Sequence, residues 1–69
     1  MIVKDFIKTV NDEQYIKIFC TGGRYASEFG NKKQLQNLTN LIMNQEVKNT
    51  FYENIDNINI LFIVVADSN

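Results

Sequence analysis

Few side chains in this sequence could carry chemistry. Cys20 is its single thiol, Arg24 its single guanidinium, and histidine is absent. Without histidine there is no Ser-His-Asp triad, no Cys-His dyad and no histidine-containing zinc site. Cys20 shares the parity of Ile16 and Ile18 along a β-forming stretch. A lone thiol on an apolar strand face, with no imidazole to activate it, reads as a small core hydrophobe. The acids Asp12, Glu13, Glu28, Glu46, Glu53, Asp56 and Asp67 are scattered without calcium-loop spacing, and the sequence sets no two of them across a shared substrate, so a small enzyme using carboxylates or a tyrosine stays open but unsupported. The expectation is therefore a protein that is not an enzyme, with no catalytic residue, no metal and no cofactor.

Thr21-Gly22-Gly23-Arg24 invites comparison with a phosphate-gripping loop. Such a loop leads from a strand into a helix whose amides face the anion. Here the glycines lead into Tyr25-Ala26-Ser27-Glu28-Phe29, a strand-forming run, so they are expected at a hairpin tip. Arg24 then projects near that tip, where a guanidinium can bind a carboxylate or phosphate bidentately or simply remain solvated. Tyr15, Phe19, Tyr25, Phe29 and Tyr52 recur on strand positions and could form a base-stacking platform. A formal charge of −1 and a pI near 5.1 supply little attraction for phosphate, so nucleic acid is the lesser alternative. Large amphipathic rings also dominate protein interfaces, which makes a protein partner the better reading.

The elements that position these residues must fit into 69 residues, enough for one domain spanning residues 1–69 and one small core. The acid in Met1-Ile2-Val3-Lys4-Asp5 argues against a secretory leader. The longest apolar run, Ile60 to Ala66, is far short of the roughly 20 residues of a spanning helix. No membrane association and a cytoplasmic location are expected. The ten asparagines and nine isoleucines are what AT-rich codons supply.

Ile2, Val3, Phe6, Ile7 and Val10 follow helical spacing until Asn11-Asp12 breaks the pattern. Gln14 to Cys20 alternates as a strand, and Tyr25 to Phe29 returns as its hairpin partner. Gly30 is expected to end that strand. Asn31 and Gln34 have capping-box spacing, predicting a helix from Lys32 to about Asn44 or Gln45 with Leu35, Leu38, Leu41 and Ile42 inward. Val47 to Glu53 sets Val47, Asn49 and Phe51 against Lys48, Thr50 and Tyr52. A turn at Asn54 to Asn57 then leads into Ile58 to Ala66, and the tail Asp67-Ser68-Asn69 is expected to fray. The fold class is α+β, with a four-stranded, mostly antiparallel sheet and two helices in the order α-β-β-α-β-β.

The last strand is apolar on both parities, with Ile60, Phe62 and Val64 on one and Leu61, Ile63 and Val65 on the other. Both faces want burial. Either the two helices lie on opposite faces, or another molecule covers one of them. Ile63 is expected to face outward, so that Ile63→Asp would separate an oligomer. The candidate partner-binding residues are Arg24, Tyr25, Phe19, Tyr52 and Ile63.

The opening Val3-Lys4-Asp5-Phe6-Ile7-Lys8-Thr9-Val10-Asn11-Asp12, the strand Tyr15 to Phe19, the leucine helix, and the closing Glu46-Val47 and Ile58 to Val65 resemble small accessory proteins of phages and conjugative elements of AT-rich Gram-positive bacteria. Some proteins of that kind are anti-CRISPR inhibitors, which act by binding. The resemblance implies a mobile-element context; the sparse catalytic inventory, the near-neutral charge and the apolar surplus of the last strand add the expectation of a stoichiometric protein-binding module, directed at a host-defence nuclease complex and homodimeric if the last strand's second face is covered by a copy. The resemblance carries no signature residue whose role can be transferred.

Overall fold

A computed structural model describes residues 1–20, 27–37 and 40–65. Helix α1 (Val3–Ile7) leads to strand β1 (Tyr15–Cys20), which pairs with β2 (Glu28–Asn31). Two short helices follow, α2 (Lys32–Leu35) and α3 (Asn40–Met43), and then β3 (Val47–Ile55) and β4 (Ile58–Val65). The expected α+β class and element order are present. The sheet order is β2-β1-β4-β3, with antiparallel outer pairs and a parallel central pair, β1 with β4. The sheet is therefore mixed rather than mostly antiparallel. The central places fall to the most apolar strands, whose backbone groups are paired on both sides, while the more polar β2 and β3 form the edges.

Local sequence sets the element boundaries. Beyond α1 the chain continues in turns, with Val10 N–H donating to the Ile7 carbonyl (3.0 Å). The Asn11 side chain then accepts from Glu13 N–H (2.9 Å), an Asx turn that diverts the backbone into β1. Asn31 caps α2 as its spacing predicts. Its Oδ1 accepts from Gln34 N–H (2.9 Å), and Gln34 Oε1 accepts from Asn31 N–H (2.9 Å). Gly30 lies inside β2 rather than ending it. A Cβ there would come within 2.8 Å of Gln34 Oε1, so the missing side chain makes room for the capping box.

Asn31→Ala removes half of that box and should cost about 1 kcal/mol. In a domain of this size that lowers the thermal midpoint by roughly 4–8 °C. An unchanged midpoint would strip the box of any part in stability.

The expected single helix from Lys32 onward is interrupted, because Gln36 and Asn37 form a turn after α2. Asparagine competes for backbone hydrogen bonds and is better suited to turns than to helix interiors. Leu38 lies outside the described residues. So do the glycine hairpin tip with Arg24 and Tyr25, and the tail with Ala66. The β3–β4 turn is tighter than expected. Only Asp56 and Asn57 lie between the strands, at φ 53° and 67°, the left-handed pair of a type I′ hairpin, which Asp and Asn tolerate.

The helices lie on one side. Val3 and Ile7 of α1 and Leu35 of α2 form one buried cluster with Ile16, Ile18 and Cys20 of β1 and Leu61, Ile63 and Val65 of β4. Phe6, Val10, Ile42, Met43 and Val47 pack against it. Two further links hold this layer. Lys32 Nζ, at the start of α2, donates to the Val10 carbonyl (2.9 Å) beyond the end of α1 and pairs with Asp12 (3.3 Å). Val3 N–H donates to the Gln45 carbonyl and Val47 N–H to the Met1 carbonyl, each at 2.9 Å, joining the start of α1 to the start of β3.

Candidate functional site

With α1, α2 and α3 gathered on one face, no helix or strand among the described residues packs on the opposite face of the sheet. Strand register shows which side chains occupy it. Across one row stand Phe29 of β2, Lys17 of β1, Phe62 of β4 and Phe51 of β3. The next row holds Asn31, Tyr15, Ile60 and Glu53. On the other side of the first row are Phe19, Val64 and Asn49, and Ile58 and Ile55 extend the face toward the β3–β4 turn.

The rings are organised in two groups. Tyr15 and Phe29 stack, with centroids 5.8 Å apart. Phe62 stacks on Phe51 at 5.0 Å and meets Phe19 edge to face at 6.2 Å. Such pairs hold the rings in place beyond what area burial alone provides. Ile60 and Val64, although on the uncovered face, are only 7% and 9% exposed. The sheet's aliphatic floor is thus shielded while its aromatic rim is not, for Phe29 remains 54% exposed and Phe51, Tyr15, Ile55 and Ile58 are exposed as well. Polar character is sparse. Among the described strand residues in register on this face, Lys17 and Glu53 are the charged ones.

The residues expected to bind a partner do not assemble into one surface. Phe19 is on the open face. Tyr52 is 61% exposed but stands opposite Leu61, on the side of the sheet that carries the helices. Ile63 is fully buried at 0% exposure, in the core with Ile18 as its register partner. The expectation that it faces outward is therefore corrected. The outward parity of β4 is that of Ile60, Phe62 and Val64. Arg24 and Tyr25 lie outside the described residues.

Phe51 and Phe62, at the centre of the larger ring group, were missed by sequence reasoning. Phe62 sits in a run apolar on both parities, so alternation assigns it no side. Strict alternation groups Phe51 with Val47, but β3 carries a bulge. Val47 pairs with Val65 and Asn49 with Val64, so the extra residue Lys48 sends Val47 to the core and Asn49 and Phe51 to the open face. The recoverable signal was Asn49, a polar residue improbable on a core parity.

Cys20 is buried in the core, as its parity predicts. Among the described residues no cluster of three or more His, Cys, Asp or Glu side chains could hold a metal, and no helix is long and apolar enough to cross a membrane. Fold and face together define a small α+β domain with helices on one side of a mixed sheet and an open aromatic face on the other. No protein-family model, curated protein or solved structure matches this chain.

Proposed function

We propose that this protein is a non-enzymatic protein-binding module whose working surface is the open sheet face, centred on Phe62 and Phe51 and bounded by Tyr15, Phe19 and Phe29. The observation that carries the reading is the grouping of these rings, paired with one another, on the side of the sheet that the helices leave bare. Rigid aromatic anchors above an apolar floor have the composition of an interface centre. Balanced charge on the face favours a protein over nucleic acid, because a base-stacking platform needs a basic surround to neutralise phosphate.

In its specific form, the proposal follows the resemblance to accessory proteins of mobile elements. The partner is a host-defence nuclease complex of the CRISPR type, inhibited stoichiometrically in the bacterial cytoplasm. Titrating the protein into purified CRISPR effector complexes tests this. Cleavage should fall linearly and end at a fixed molar ratio, and Phe51→Asp should abolish the effect while leaving the circular dichroism spectrum and melting transition in place. Undiminished cleavage across the panel would overturn the specific form. Equal inhibition by Phe51→Asp would overturn the assignment of the face. Should a single-stranded oligonucleotide bind instead, with affinity falling steeply as salt rises, the partner class would be nucleic acid.

A further inference from the structure

We infer that β3 is an association edge at which two copies of this chain pair antiparallel, about a two-fold axis normal to the sheet at Phe51, so that the two four-stranded sheets join into one. β3 is the longer of the two edge strands, nine residues against four in β2, and beyond Val47 its residues are exposed except for half-buried Thr50. It contains no proline. A long exposed edge of that kind presents a row of unpaired amides and carbonyls to another strand.

The hairpin fixes which backbone groups are free. Across a two-residue turn the closing pair Ile55 and Ile58 exchanges its hydrogen bonds, and the pattern alternates along the ladder. Glu53, Phe51 and Asn49 therefore turn their amides and carbonyls to β4, while Asn54, Tyr52 and Thr50 turn theirs outward. On that free edge Thr50 N–H donates to the Asn49 side-chain carbonyl (2.9 Å). With the axis at Phe51, Thr50 meets the second copy's Tyr52 and Tyr52 its Thr50, two hydrogen-bonded pairs that supply four backbone bonds. On the open face Phe51 meets Phe51, and Asn49, released from Thr50, meets Glu53.

Charge selects both the partner and the register. In this pairing the Cα atoms of Lys48 and the second copy's Glu53 are roughly 6 Å apart, whereas the two Glu53 residues lie about 14 Å apart and the two Lys48 residues about 20 Å. Opposite charges are brought together twice over and like charges are kept apart, as an isologous contact requires. An axis at Tyr52 would bring the two Glu53 Cα atoms to about 8 Å on the same face. An axis at Thr50 would set the Lys48 bulge where the ladder needs a regular residue. The axis at Phe51 keeps both open faces on one side, so the row from Phe29 through Phe62 and Phe51 continues into the second copy. One face alone presents roughly 400 Å² in projection, against about 800 Å² per partner in standard interfaces, and the joined pair reaches that size. This last consequence rests on the reading of the face as a binding surface; the pairing itself does not.

Sedimentation equilibrium and cysteine cross-linking test the inference on the full chain. The wild type should show a reversible monomer–dimer equilibrium. Asn49→Lys sets an ammonium opposite the second copy's Glu53 and Asn49→Glu a carboxylate, and both remove the contact to Thr50. The first should tighten the dimer and the second weaken it, each by about fivefold, with circular dichroism confirming the fold of each. Phe51→Cys should form a disulfide-linked dimer under mild oxidation, its Cα atoms about 4.5 Å apart, while Tyr52→Cys, about 8 Å from its counterpart, should not. The wild type, whose Cys20 is buried, is the control. A monomer at every concentration overturns the inference. So does a dimer that cross-links through Tyr52→Cys instead, or through neither variant, since its axis would then lie elsewhere. If the protein stays monomeric yet inhibits an effector complex, self-pairing fails and the binding face stands. If it pairs as described but inhibits nothing, the reverse holds.

Discussion

Ile63→Asp should abolish folding. The Ile63 side chain is fully buried in the cluster that joins the helices to β1 and β4. An unpaired carboxylate at that place costs several kcal/mol whether it ionises or takes up a proton. A domain of 69 residues has about 3–10 kcal/mol of stability in total. The variant should therefore lack a cooperative melting transition and show the far-ultraviolet spectrum of an unfolded chain. A variant that melts like the wild type and changes only its state of association would mean that Leu61, Ile63 and Val65 face outward, inverting the two faces of the sheet. The contrast with Phe51→Asp is diagnostic. Phe51 lies on the neighbouring strand and shares the parity of Phe62, next in sequence to Ile63, yet it is exposed. The same acidic side chain should unfold the protein at one position and leave it folded at the other.

Ile7→Ala should lower stability by about 2–5 kcal/mol, the range for removing a fully buried aliphatic side chain and leaving a cavity. The consequence extends beyond volume. Helix α1 has five residues, too few to persist without packing, and Val3 and Ile7 are its buried residues. Loosening Ile7 also loosens the turn whose Val10 carbonyl accepts from Lys32, so the start of α2 loses an anchor. Urea unfolding should show a lower midpoint at an unchanged slope, and the thermal midpoint should fall by more than about 10 °C. A loss below about 1 kcal/mol would mean that α1 is only peripherally attached.

Much of this fold was legible in short stretches of sequence. The alternation of Tyr15 to Cys20 correctly separates Ile16, Ile18 and Cys20 from Tyr15, Lys17 and Phe19, because side-chain direction along a strand has a period of two. The pair Asn31 and Gln34 locates the start of α2 because a capping box closes within one helical turn. The binding surface was far less legible. Alternation sets Tyr15 and Phe19 on one face of β1, but it does not relate them to Phe29 on β2, which only strand pairing brings onto the same face. Phe51 was concealed by the bulge at Lys48, since one extra residue reverses every later assignment along the strand. Phe62 was concealed by neighbours as apolar as itself.

The sequence by itself determined the α+β class, the order of its elements, the core parity of β1 and the demand that both faces of Ile60 to Val65 be buried. Those features depend on residues a few positions apart. The tertiary structure decided how that demand is met. The parallel contact of β1 with β4 joins residues more than forty positions apart, places the most apolar strand at the centre, and gathers Leu61, Ile63 and Val65 with Ile16, Ile18 and Cys20 beneath all the helices. Phe62, with Ile60 and Val64 beside it, is thereby turned to the side opposite the described helices. Strand order and the choice of face are set by pairing across the whole chain and by one bulged residue, which local periodicity does not encode.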